Sequence, residues 1–198
     1  MQYLKILSLF LFLPFSLLAQ SDLPAKPEDI APLLIGEMVP DMQLAKMDGT
    51  PIDMGTVLNG NKTILIFYRG GWCPYCNSHL SDLQKIEPKL KELGYQIVAV
   101  SPDAPTKLKE TDLKNDLGYQ LYADTKGELM GKMGIAFQAP ERYQKMLLSA
   151  SDEANKGWLP VPSVFIVNDK KQIVFEYISP DFKHRMNGDL LMAVASKL

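Results

Sequence analysis

The chain has 198 residues, with 21 Lys and Arg against 23 Asp and Glu and a net charge of −2. That balance gives no electrostatic case for nucleic acid, whose binding needs a basic surface to release counterions. The length fits one domain with a full core, and no internal repeat or low-complexity tract interrupts it.

The first element is a targeting segment. Lys5 gives a weakly basic start, and Ile6 to Leu18 is an apolar run broken only by Ser8, Pro14 and Ser16. It ends at Leu17-Leu18-Ala19-Gln20, which predicts a signal peptide over residues 1–19 cleaved after Ala19. At about 13 residues the run is short of the roughly 20 that a membrane span needs. No stable membrane insertion is therefore expected after cleavage, a retained anchor being the competing reading. No cysteine follows the run, which excludes a lipid-anchored lipoprotein. Loss of the leader removes Lys5 alone and takes the net charge from −2 to −3. The mature protein is expected to be extracytoplasmic, in the periplasm, where disulfides persist.

Residues 20–35 carry Pro24, Pro27 and Pro32 and read as a leader arm ahead of one domain over 36–198. Met38 to Leu44 reads as extended, Asp48-Gly49 as a turn and Pro51-Ile52 as the returning strand. Thr63 to Tyr68 reads as a buried strand. From Pro74 the apolar period becomes helical, with Cys76, Leu80, Leu83, Leu90 and Leu93 on one face and Lys85, Lys89 and Lys91 away from it. Pro88 is expected to break or kink this helix, and Gly94 to end it. Tyr95 to Ser101 is the next buried strand, so a right-handed parallel crossover is implied.

Beyond it, Thr106–Asp116 reads as a charged, solvated helix, Tyr119–Tyr122 as a short strand and Lys126–Met133 as a short helix. Glu141 to about Ala154 reads as helical, closed by Lys156-Gly157. Ser163–Val167 and Gln172–Ile178 read as a hairpin across Asn168–Lys171, followed by a final helix over His184–Ser196. The sum is an α/β fold, a central mixed sheet flanked by helices with an N-terminal extension.

Two of the residues are cysteine, Cys73 and Cys76, and they stand where the strand feeds the helix. A helix N-terminus lowers the pKa of a thiol and raises the thiolate fraction, so a C-x-x-C pair there is a redox signature. Three other readings compete. A structural disulfide closing so short a loop would stabilise by only about 2 kcal/mol. A zinc site needs about four ligands, and no second C-x-x-C supplies them. Two inert buried thiols would leave the flanking Gly, Trp and Pro unexplained.

Cys73 suits the N-cap, with Pro74 at the first helical position, where its missing N–H does no harm. Cys76 lies one turn further in. Spacing thus nominates Cys73 as the attacking thiol and Cys76 as the resolving one. Gly70-Gly71 permits a sharp turn and close approach to a substrate. Trp72 is placed to shield the pair, and Tyr75 to shape it. Arg69 is the nearby cation, able to stabilise a thiolate or to stay a surface charge. Pro162 precedes a strand in a setting that permits a cis bond.

With these pieces assembled, the chain resembles thioredoxin-fold proteins. More closely it resembles the alkyl hydroperoxide reductase/thiol-specific antioxidant group, in its peroxiredoxin-like branch with a C-x-x-C. The resemblance covers Gly36 to Leu198 and rests on Phe67 to Cys76, on Ala99-Val100-Ser101-Pro102-Asp103, and on Pro162 to Val167. It implies a thiol-dependent antioxidant oxidoreductase that takes a hydroperoxide or a protein disulfide as substrate and a dithiol as electron donor. No cofactor and no metal are expected.

Laid on the peroxiredoxin pattern Pro-x-x-x-Thr-x-x-Cys, Arg69 takes the proline's place, Cys73 the threonine's and Cys76 that of the peroxidatic cysteine. The family arginine falls near Pro162 and is missing. The thioredoxin alignment instead makes Cys73 the attacker, opposite a cis Pro162. Both alignments end in a Cys73–Cys76 disulfide. A metal-handling role using His79, three residues after Cys76, with His184, is the remote alternative. A non-catalytic binding module would require both cysteines to be dispensable. Residues 137–154 are expected either to shape access to the site or simply to cover the core.

Overall fold

A computed structural model describes residues 23–198; the leader expected over 1–19, and the first residues of the arm, lie outside them. In chain order the strands are β1 (Gln43–Ala45), β2 (Pro51–Asp53), β3 (Lys62–Phe67), β4 (Tyr95–Ser101), β5 (Gln120–Ala123), β6 (Ala136–Gln138), β7 (Trp158–Pro160), β8 (Ser163–Val167) and β9 (Ile173–Ile178). The helices are α1 (Met54–Val57), α2 (Pro74–Glu92), α3 (Pro105–Asn115), α4 (Glu128–Lys132), α5 (Gln144–Ala150) and α6 (Gly188–Ala195). Seven strands form one mixed sheet in the order β2-β1-β5-β4-β3-β8-β9. β3 pairs parallel to β4, as the crossover required, and antiparallel to β8, while β8 and β9 form the expected hairpin.

The period-2 alternation of a strand sorts its side chains to the two faces of the sheet. Ile64, Ile66 and Tyr68 face Leu80, Leu83 and Leu90 of α2, together with Leu108 and Leu191. Leu65 and Phe67 face the other way, onto Met54, Leu58, Leu129 and Met133. β3 is covered on both sides, which is why it reads as a continuous apolar run rather than an alternating one. Each such Leu or Ile contributes about 1.5–3 kcal/mol by leaving water.

Four elements differ from the sequence reading. Helix α2 runs unbroken through Pro88. That proline is exposed and lies near the helix end, so little of the helix follows the hydrogen bond it removes. Leu93, expected on the buried face, is the exposed C-cap. The helix expected to reach Ala154 stops at Ala150, because Asp152 and Glu153 both take positive φ. Its flanks form the short β6–β7 ribbon, whose three-residue strands carry no legible alternation.

The last difference positions the site. The final helix starts at Gly188, not His184, because the Asn187 side chain accepts the Leu190 N–H at 2.8 Å as an N-cap. His184 to Asn187 therefore remain in a loop. Asn187→Ala is expected to cost about 1 kcal/mol, readable as a lower urea midpoint with unchanged slope.

The arm packs onto the domain. Leu23, Ile30 and Leu33 lie against the second core, and Pro24 accepts the Gln138 N–H at 2.8 Å. Among the described residues, no helix is long and apolar enough to cross a membrane.

Candidate active site

The turn from β3 into α2 is built around two glycines. Gly70 has φ +140°, a conformation that side chains rarely adopt, and a Cβ there would collide with Trp72 Nε1 and Asp103 Oδ1. A Cβ on Gly71 would collide with Thr111 Oγ1. The turn is pinned at both ends. Gly71 N–H donates to Asp103 Oδ2 at 2.7 Å, and Asn77 Nδ2 donates to the Gly71 carbonyl at 2.7 Å.

This places Cys73 at the N-cap of α2, in extended geometry, with Pro74 at the first helical position. Its carbonyl accepts from the backbone N–H groups of Cys76 and Asn77, at 3.0 and 3.1 Å. Both thiols are free, and each residue is only 1% exposed.

Two cations converge on the pair, where the sequence reading had only Arg69. Arg185 Nη2 lies 3.4 Å from Cys76 Sγ. It reaches the sulfur because its segment stays a loop; continued as helix, it would have followed the path of α6. The signal was present in Asn187-Gly188-Asp189, a sound helix start that argued against an earlier one. Arg185 thus supplies a cation at the pair, although the family position near Pro162 lacks one.

Arg69 is not a surface charge. It is buried, with its guanidinium carbon 4.2, 4.8 and 5.0 Å from the ring centroids of Phe182, Tyr143 and Trp72. Three ring faces hold a cation by their quadrupoles and screen it from water. Tyr143 belongs to the 137–154 stretch, so that stretch walls the site. Tyr75 is partly exposed and stacks edge-on against Phe182 at 5.7 Å. Arg69, Phe137, Tyr143, Pro162, Pro180 and Phe182 line a cleft of about 180 Å3.

The electrostatics separate the two thiols. Cys73 is lowered to about 6, first by the thiol hydrogen bond from Cys76, then by the Cys76 backbone N–H and by Arg69 and Arg185, against the cost of burial. Cys76 moves the opposite way, because burial and the neighbouring Cys73 sulfur both oppose its charge. The surroundings therefore favour ionisation of Cys73 over Cys76.

Pro162 sits in the cleft wall, but the Val161–Pro162 bond is trans, against the expectation of cis. Trans is the lower-energy form, and the surrounding bonds suit an extended chain. Val161 N–H donates to Ile135 at 2.8 Å, and Pro162 accepts from Ser179 at 3.1 Å.

The two histidines do not come together. His79 is buried behind Cys76 and lowered to about 4, by burial and then by the Arg185 charge. His184 is exposed and pairs with Asp181 at 3.1 Å. Among the described residues, no group of three or more His, Cys, Asp or Glu is arranged to hold a metal.

Similarity to known proteins follows the same lines. The chain is 31% identical over 113 residues to peroxiredoxin bcp1 of Schizosaccharomyces pombe, a match covering 56% of this chain and 57% of that protein. The chain thus spans a little over half the length of that relative. It is 25% identical over 159 residues to the thiol-disulfide oxidoreductase ResA of Bacillus thuringiensis, covering 79% of this chain and 76% of ResA. Among solved structures, peroxidoxin BcpB of Mycobacterium tuberculosis superposes with a TM-score of 0.65 at 17% identity, covering 83% of this chain and 97% of the other. That likeness establishes the shared fold, a thioredoxin-like mixed sheet flanked by helices. The profile of the AhpC/TSA family matches residues 35–176, most of the chain, so the protein belongs to the AhpC/TSA family.

Proposed function

We propose that the protein is a thiol-dependent hydroperoxide reductase that cycles between a Cys73/Cys76 dithiol and disulfide. The observation that carries this is the placement of Cys73 at the N-cap of α2 with Cys76 one turn further in and Arg185 3.4 Å from Cys76 Sγ, an arrangement that lowers the Cys73 thiol to about 6. In the first step the Cys73 thiolate attacks the distal peroxide oxygen, the O–O bond breaks, and an alcohol or water leaves after taking a proton. Cys73 is then a sulfenic acid. Cys76 attacks that sulfur, expels water and closes the disulfide. A dithiol donor reopens it by exchange. Arg69 and Arg185 stabilise the charge on the attacking sulfur and on the departing oxygen.

A second reading, exchange with protein disulfides, is favoured by the ResA relative, whose match runs over more of this chain than the peroxiredoxin match does. It needs the same Cys73 thiolate, so the oxidant decides between them. Reduced protein spanning residues 20–198, mixed with hydrogen peroxide or cumene hydroperoxide in a stopped-flow, is expected to react far faster than a free thiol of equal pKa. Reaction no faster than that thiol defeats the peroxidase reading.

The pH dependence follows from the depressed Cys73 thiol. Below about 6 it is protonated and unreactive, and above that it is thiolate. Ultraviolet thiolate absorbance is expected to rise with a midpoint near 6, and the peroxide rate to level off above neutrality. An unperturbed thiol would keep gaining rate up to about pH 8.5.

We also place the mature protein outside the cytoplasm, on the strength of Lys5, the apolar run and the Ala19-Gln20 junction. A mature N-terminus at Gln20 in a periplasmic extract is the expected result. Retention of Met1 overturns it. The electron donor would then be an extracytoplasmic dithiol.

A further inference from the structure

The cleft beside Arg69 carries two cations and no anion. Arg69 is buried among the rings of Phe182, Tyr143 and Trp72, and the Arg142 guanidinium carbon lies 5.0 Å from the centroid of the same Tyr143 ring. Neither arginine pairs with a carboxylate among the described residues, and no Asp or Glu lines the cleft. An apolar site that gathers two like charges without a counterion is costly unless an anion completes it.

Local structure gives the cleft two unlike ends. A 3-10 turn over Glu141–Tyr143, in which the Tyr143 N–H donates to the Pro140 carbonyl at 2.9 Å, brings Arg142 to the lining. Arg142 is exposed and Arg69 is buried, so the cleft runs from a solvated mouth to a dry end. The dry end adjoins the C-x-x-C loop. Phe182, whose centroid is 4.2 Å from the Arg69 guanidinium carbon, packs against Tyr75, which stands between the two cysteines.

The other walls give a ligand little to hydrogen-bond. Pro27, Pro140, Pro160, Pro162 and Pro180 have no N–H, and the side chains of Phe137 and Phe182 are apolar rings. Polar recognition is left to the two guanidinium groups and the Tyr143 hydroxyl. At about 180 Å3 the cleft is smaller than the roughly 300–1,000 Å3 of pockets for drug-sized ligands, so it suits a small molecule.

We propose that this cleft selects small organic hydroperoxides that carry a carboxylate, held by Arg142 at the mouth with the hydroperoxide group at the Arg69 end. The planar Arg142 fork donates to both carboxylate oxygens, and the apolar body lies against Tyr143 and Phe182. The inference rests on the peroxidase reading. Cys73 attacks the terminal oxygen, the O–O bond breaks, and the alkoxide takes a proton and leaves as an alcohol that keeps the carboxylate. The carboxylate is thus a handle for binding that the reaction leaves unchanged, and Arg142 sets specificity.

The test compares para-carboxycumene hydroperoxide with its methyl ester, which has similar bulk and no charge. Reduced mature protein is mixed with each in a stopped-flow. The second-order rate for the carboxylate is expected to exceed that for the ester about tenfold, the order of a charged bidentate pair, and the ratio should fall with added salt. Arg142→Gln should erase the preference by slowing the carboxylate alone, and Arg142→Lys should restore part of it. Lys145→Gln removes an equal charge three residues on, outside the cleft, and should leave the ratio as it was. Equal wild-type rates for the two peroxides, a preference that survives Arg142→Gln, or the same loss in Lys145→Gln overturns the proposal.

The alcohols left after reduction separate binding from chemistry. In calorimetry the alcohol carboxylate should bind about tenfold more tightly than its methyl ester. Selective alcohol binding without peroxide reduction would defeat only the proposed function. Fast reduction of both peroxides without selectivity would defeat only this inference.

Discussion

Cys73→Ser is expected to reduce hydroperoxide consumption to the uncatalysed background, a fall of at least about 10^4, as when a nucleophile is removed outright. A serine hydroxyl at this N-cap cannot ionise near neutrality, so the helix terminus and the two arginines have no charge to stabilise. Cys76→Ser should behave differently. It keeps a hydroxyl donor beside Cys73, so each molecule still reduces one equivalent of peroxide. It cannot close the disulfide, so the sulfenic acid accumulates, is trapped by dimedone, and turnover stops. Single-turnover kinetics with mass spectrometry of the dimedone adduct read both outcomes. The reverse pattern, with Cys76 carrying the adduct, would favour the assignment made by the peroxiredoxin alignment over the one made by the helix N-terminus.

Arg185→Met is the second large effect. Methionine keeps an apolar stem of similar reach, so packing around Met186 and α6 is largely preserved while the charge is lost. Removing one preorganised charge from a water-excluded site typically costs about 10^2-fold in rate, and that is the fall expected here. The thiolate midpoint should move up from about 6 toward the ordinary thiol range, because Arg185 helps to lower Cys73. His79 supplies an independent signature. Burial and then Arg185 depress it, so its imidazole should titrate above about 4 once the guanidinium is gone. An NMR titration reads that directly, and Arg185→Lys should restore part of both shifts. An unchanged thiolate midpoint would show that the 3.4 Å contact is packing alone.

The core of the fold was legible because long apolar runs leave few alternatives. β3, β4 and β8 are buried on both faces, and their placement within one or two residues of expectation follows from runs that only a central strand can bury. The site turn was legible for a related reason. Gly70-Gly71-Trp72-Cys73-Pro74 combines two glycines, an N-cap and an N1 proline, and each has one physical use there. The misjudged stretches were those governed by partners distant in sequence. Three-residue β6 and β7 carry too little pattern to read, and they exist because each pairs with the other. Residues 184–187 are apolar and charged in a helix-compatible order, and only the Asn187 cap shows where the helix begins.

By itself, then, the sequence determined that a C-x-x-C pair stands at a helix N-terminus, where backbone dipoles favour a thiolate. Local geometry alone enforces that. It did not determine which sulfur holds the charge. That was decided by the hydrogen bond that Cys76 offers Cys73 and by the deeper burial of Cys76, with Arg69 and Arg185 adding positive charge to the pair as a whole; Arg185, more than a hundred residues away along the chain, is brought there by the 179–187 loop. Ionisation in a dry site depends on every charge within a few ångströms, and only the tertiary structure sets those neighbours.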